Sequence, residues 1–133
     1  MKKILVGVKH REALESIRII NYFQQKNNWS VKFFLIAFFE LSKEESEAIS
    51  KEGIKFISTD WQLPFIKRDG IDAKIIKLYK TYLAYKIFRN NLEKDYEGIL
   101  ISPGSFLLDQ LVAFAIDNNI PSYVLQSGFT API

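Results

Sequence analysis

Short apolar runs rich in β-branched and aromatic residues alternate along this chain with longer stretches whose apolar residues recur every three or four positions. Strands bury continuous or alternating apolar runs and helices bury a stripe of period 3.6, so the alternation reads as successive βα units. Bundles and sandwiches lack this pattern. Ile4-Leu5-Val6-Gly7-Val8 is unbroken apolar sequence, the mark of a central parallel strand covered by helices on both faces. Arg11 to Gln25 follows as a helix with Ala13, Leu14, Ile17, Ile20 and Phe23 as its expected buried stripe. Asn27-Asn28 marks a turn into a second strand, Val31 to Phe38. Ser42, with Glu45 three residues on, resembles a capping box for a short helix that Gly53 is placed to end. Ile54 to Ile57 is a third strand.

The stretch from Ser58 to Gly70 has no steady period and reads as a long connection of the kind that often carries function. A long helix from Ile71 to Leu92 is expected next, with Ile71, Ile75, Leu78, Tyr82 and Leu83 on one face and Lys74, Lys77 and Lys80 opposite. Gly98 to Ile101 is the fourth strand, Phe106 to Ile116 a helix apolar nearly all round, and so deeply packed, that Asn118-Asn119 ends, and Pro121 to Leu125 the fifth strand. At 133 residues the chain has the usual size of one domain, residues 1–133. The class is therefore α/β: a Rossmann-like three-layer domain on a five-stranded parallel sheet. Right-handed crossovers leave two common strand orders, 3-2-1-4-5 and 2-1-3-4-5, of which we favour the first. Ligands of such sheets bind beyond the carboxyl ends of the strands at the switch point, which directs attention to the loops Val8 to Glu12 and Ser102 to Phe106.

Several chemistries drop out. Cysteine is absent, which removes disulfides, thiolate metal sites and a thiol nucleophile, and fits a cytoplasmic setting. After the first strand the residues run Gly7-Val8-Lys9-His10-Arg11 with no further glycine, so the dinucleotide fingerprint and the P-loop are both missing. A single histidine and no carboxylate cluster leave no zinc set, and no cofactor is implied. No stretch reaches the roughly 18 to 20 apolar residues of a membrane span. The first seven residues read as a strand and not a signal peptide, because the apolar run stops at Lys9 with no small-residue cleavage site. The net charge of +3 is too small and too dispersed to argue for nucleic acid.

What remains is a short set of candidates. His10, the only histidine, follows the first strand with Lys9 and Arg11 beside it, where it could act as a general acid or base or simply sit in a solvated turn. Gly104 and Ser105 open the helix after the fourth strand, where exposed amides favour an anion; the plainer role is a turn with Ser105 as its N-cap. Asp109 in that helix's first turn fits the helix dipole. Trp61, Phe65, Lys67 and Arg68, with Lys74, Lys77 and Lys80, could rest on an anionic membrane surface or form a solvated helix face and its approach.

Two stretches carry a family resemblance. Gly7-Val8-Lys9-His10-Arg11-Glu12-Ala13-Leu14 resembles the Gly-Thr-Arg-Pro-Glu-Ala-Ile turn of non-hydrolysing UDP-N-acetylglucosamine 2-epimerases, with one extra residue and without the proline. Asp95 to Ile101, then Pro103-Gly104-Ser105, then Asn119 to Gly128, is similar to the end of the first domain in those epimerases and in the GT-B glycosyltransferases that share their fold. Departures at His10 and at Gln126-Ser127 turn the resemblance toward glycosyl transfer. It implies that residues 1–133 are the acceptor-binding, N-terminal part of a two-domain sugar-nucleotide-dependent glycosyltransferase. The nucleotide sugar would then be held by a C-terminal domain or a partner chain. It also implies that Lys9, His10, Arg11, Gly104, Ser105, Gln126, Ser127 and Gly128 line the cleft with His10 as base, and that the basic segment meets a lipid-linked acceptor at the inner face of a membrane. Two other readings stay open. One is a non-catalytic protein-binding domain with a patch around Phe38, Phe39 and Phe129; the other is a small phosphate- or nucleotide-binding enzyme using the Gly104 turn.

Overall fold

Among the described residues nine elements follow in chain order, and their boundaries come from the apolar runs and the turn residues between them. In the computed structural model, which describes residues 1–37, 39–57, 73–102 and 106–124, these are β1 (Lys2–Val8), α1 (Arg11–Lys26), β2 (Val31–Ala37), α2 (Lys43–Lys51), β3 (Lys55–Phe56), α3 (Ala73–Asn91), β4 (Gly98–Ile101), α4 (Phe106–Asp117) and β5 (Ser122–Val124). All strand pairings are parallel and the sheet runs β3-β2-β1-β4-β5, the favoured order. Gly7 lies between Ile36 and Ile101 in register, at the centre of the sheet.

Alternation along the strands sends successive residues to opposite layers. Leu5, Phe34, Ile36, Ile99 and Ile101 pack with Ala84 and Phe88 of α3, with Leu92 just past its end, and with Leu111, Phe114 and Ala115 of α4. Val6, Val8, Phe33 and Leu35 pack with Ala13, Leu14 and Ile17 of α1 and with Ile49 of α2. Crossover handedness accounts for this division: α1 and α2 serve the run outward from β1 to β3, and α3 and α4 serve the return through β4 to β5 on the other face.

The turn chemistry is as expected at four places. Ser42 Oγ accepts from the Glu45 amide at 3.1 Å while the Ser42 amide donates to Glu45 Oε1 at 3.3 Å, a complete capping box. Gly53 ends α2 at φ +89, and a Cβ there would lie 2.8 Å from Gln25 Nε2. Asn28 and Asn119 take left-handed backbone after α1 and α4.

The helix faces need correction. Ile20 and Phe23 of α1 are exposed, and the buried stripe runs Ala13, Leu14, Ile17, Asn21, Gln24. The two polar members are tolerated because each is fully engaged: Asn21 Nδ2 donates to the Glu52 carbonyl at 2.8 Å, Gln24 Nε2 to Asn21 Oδ1 at 3.0 Å, and the Val31 amide to Gln24 Oε1 at 3.1 Å. Among the described side chains of α3, Tyr82 is exposed, Leu83 is half-buried and the buried positions are Ala84 and Phe88. On α4, Ile116 is exposed, because the sheet and α3 cover only the side of Leu111, Phe114 and Ala115.

Candidate functional site

β1 and β4 are neighbours whose chains depart in opposite directions, and this is the switch point of the sheet. The two carboxyl ends are joined by Ser102. Its amide donates to the Gly7 carbonyl at 3.1 Å, and its hydroxyl accepts from the Lys9 amide at 3.1 Å. Ser102 is buried, so the bond that fixes the loop after β1 to the loop after β4 is shielded from water. The loop after β4 stood out in the sequence for Gly104 and Ser105, and the Ser102 hydroxyl was missed. Register is the signal that could have found it: the first residue past β4 must lie beside the last residues of β1.

From this anchor the chain turns into α1 at His10, which is the N-cap residue. Its backbone is extended and its carbonyl accepts from the Leu14 amide at 3.2 Å, yet its imidazole makes no capping bond. The ring is exposed at the switch point. Lys9 is half-buried beside it.

Arg11 points the other way. Its guanidinium pairs with Glu45 on α2, donates to the Glu40 carbonyl at 3.3 Å and stands 5.5 Å from the centre of the Phe39 ring. The hydrogen bond and charge of Glu45 raise the Arg11 pKa. In return Arg11, helped by the Ser42 amide, holds the Glu45 carboxyl down to about 2. One carboxylate thus caps α2 and ties the start of α1 to it.

No protein-family model and no curated protein matches the sequence. Solved structures do match. The C-terminal domain of PF1911 hydrogenase from Pyrococcus furiosus aligns at 15% identity and a TM-score of 0.55 over 94% of this chain and 92% of that one. MurG from Acinetobacter baumannii aligns at 14% identity and a TM-score of 0.54, covering 98% of this chain and 37% of that one. The glycotransferase of kitacinnamycin gives 14% identity and a TM-score of 0.52, over 98% of this chain and 31% of that one. What this chain shares with all three is the fold, a Rossmann-like α/β domain. A hydrogenase domain shares it, so the likeness by itself assigns no reaction, and this chain spans about a third of each of the two transferases.

Within that Rossmann-like frame, Lys9 and His10 come together with Ser102 at the switch point, and Arg11 adjoins them with its guanidinium turned to α2. Gly104, Ser105, Gln126, Ser127 and Gly128 lie outside the described residues, as do Trp61, Phe65, Lys67 and Arg68. Lys74, Lys77 and Lys80 fall on the first turns of α3, where the side chains are outside the description. Asp109 sits exposed in the first turn of α4. Of the aromatic patch expected for protein binding, Phe38 and Phe129 are outside the described residues and Phe39 is half-buried beneath Arg11. Among the described residues no three His, Asp or Glu side chains converge as a metal set, and no helix is long and apolar enough to cross a membrane. A shallow hollow of about 380 Å³, lined by residues including Gln24, Gln25, Ser30 and Gly53, lies at the amino ends of the strands, far from the switch point.

Proposed function

We propose that this chain is the acceptor-binding half of a sugar-nucleotide-dependent glycosyltransferase, with His10 as the base that takes the proton of the acceptor hydroxyl. The observation that carries the reading is the Ser102 anchor, which fixes the Lys9 amide and so holds an exposed histidine, unused by any cap, at the switch point of the sheet. An imidazole titrates near neutral pH and suits proton transfer from a hydroxyl as it attacks a sugar carbon. The departing nucleoside diphosphate needs positive charge or helix amides to stabilise it, and that is the office of the second domain or partner chain. The likeness to chains roughly three times as long supports this division. Gly104, Ser105 and the segment Gln126 to Gly128 complete the cleft wall, Arg11 braces α1 against α2, and the basic stretch from Lys67 to Lys80 with Trp61 and Phe65 meets the acceptor's lipid at the inner membrane face.

Titration of the chain with UDP, UDP-N-acetylglucosamine and inorganic phosphate, followed by amide chemical shifts, tests the division of labour. The expected result is no saturable shift with either uridine nucleotide. Tight phosphate binding at Gly104 and Ser105 would overturn the acceptor-half reading in favour of a small phosphate-binding enzyme.

A further inference from the structure

The outer face of α1 carries large apolar side chains in the open. Glu15, Ile19, Tyr22 and Lys26 follow at intervals of four, three and four, the spacing that keeps side chains in one seam along a helix. The seam faces solvent: Ile19 is 57% exposed and Tyr22 60%. Phe23, 51% exposed, borders it and meets Tyr22 edge-to-face with ring centres 5.6 Å apart, and Trp29, 63% exposed, follows just past the helix end. This seam is separate from the buried stripe of Ala13, Leu14 and Ile17, so packing within the domain does not account for it.

We infer that this face pairs α1 with α1 of a second copy of the chain, antiparallel about a two-fold axis between Ile19 and Tyr22. The argument is self-complementarity. Such an axis sets each Ile19 against Tyr22 of the other copy, and it brings Glu15 of one copy to Lys26 of the other, twice. An isologous contact requires a self-complementary patch, and an apolar centre flanked by opposite charges at its two ends is one. Seams of three-four spacing pack at about +20°, close enough to parallel for both charge pairs to form. Glu15 has an alternative contact in Arg18 Nη1 at 3.2 Å, but Arg18 is already held by both oxygens of Glu52 at 2.8 to 3.1 Å, which leaves the Glu15 carboxylate largely in solvent. The edge-to-face contact of Tyr22 with Phe23 sets both rings before association and lowers its entropic cost. Three half-exposed aromatic side chains and two isoleucines offer on the order of 500 Å² per copy, below the roughly 800 Å² of a standard interface, so a reversible dimer is expected. An anionic membrane fits this face less well, because Glu12 and Glu15 on the same side of the helix repel it. The pairing leaves His10 and the switch point open in both copies.

Sedimentation velocity of the chain, from low micromolar to near-millimolar concentration, tests the inference. A concentration-dependent dimer is expected. Ile19→Asp should abolish it with an unchanged melting temperature, since the side chain is exposed. Glu15→Lys and Lys26→Glu should each weaken the dimer about five- to tenfold by placing like charges together, and the double variant should return to within about twofold of the original. A monomer at every concentration, a dimer indifferent to Ile19→Asp, or a double variant no tighter than the singles would overturn the pairing. So would a monomer that binds phosphatidylserine vesicles through Tyr22 and Trp29.

Discussion

The two ends of the sheet use polar side chains differently. At the amino end they are consumed by one another. Asn21 and Gln24 pass hydrogen bonds from the Glu52 carbonyl to the Val31 amide, Arg18 clasps Glu52, and Lys3 pairs with Glu93 and Asp95 while standing 5.1 Å from the ring centres of both Phe34 and Tyr96. At the carboxyl end Ser102 is similarly spent, but its bond holds a loop whose next side chain, His10, makes no capping bond. The contrast is between side chains spent on the fold and one that the helix cap does not use: buried polar groups stabilise through their partners, while the His10 ring stays exposed.

The largest expected effect lies at the amino end. Gln24→Leu removes the acceptor of the Val31 amide and the donor to Asn21 within a buried helix–strand junction, at a cost of about 2 to 3 kcal/mol. For a domain of this size that lowers the melting temperature by roughly 10 °C. A loss under a few degrees would show that water replaces the side chain there and that this end is less closed than described.

The same end should fail first in alkali. Its partners Asp95 and Glu93 push Lys3 up to about 12, and burial pushes Tyr96 from 10.0 to about 12. Both folded-state values are raised, so the stability they contribute is complete below about pH 10 and is withdrawn as the pH climbs toward 12. Melting temperatures across that interval should fall, and fall less steeply in Tyr96→Phe, which has no phenol to ionise when the chain unfolds. Equal slopes would remove Tyr96 from the explanation.

At the carboxyl end the effects shrink. Ser102→Ala removes one buried hydrogen bond acceptor and should cost about 1 kcal/mol, read by denaturant unfolding, with amide shift changes concentrated at Gly7 to His10. If those shifts stay in place, the anchor does not set the position of His10 and the proposed site loses its support.

Much of this contrast was hidden in the sequence for a definite reason. The strands, their order and the turns at Asn28, Gly53 and Asn119 were legible because each follows from local pattern and crossover handedness. So was the switch point, and with it Lys9 and His10. The outward turn of Ile20 and Phe23 was not legible, because the stripe on α1 is completed by Asn21 and Gln24, whose burial depends on a carbonyl in the turn after α2 and an amide at the start of β2. Arg11 shows the same limit: nothing in the sequence pairs it with Glu45, which the fold brings to it across 34 positions. Hydrophobic periodicity reports which faces are apolar, and it is blind to polar groups that meet only after folding.

The smallest effect discriminates best, because its sign is the reverse of the others. Serine in extended backbone at an N-cap accepts from the amides of the first turn, which the His10 side chain does not do. Replacing His10 by Ser should therefore stabilise the chain by about 0.5 to 1 kcal/mol, seen as a higher denaturant midpoint with an unchanged slope. A residue whose replacement improves stability is one for which folding supplies no reason, and functional sites are where such residues concentrate. If His10→Ser instead destabilises, the imidazole makes a structural contact after all, the contrast between the two ends of the sheet disappears, and the base must be sought elsewhere in the cleft.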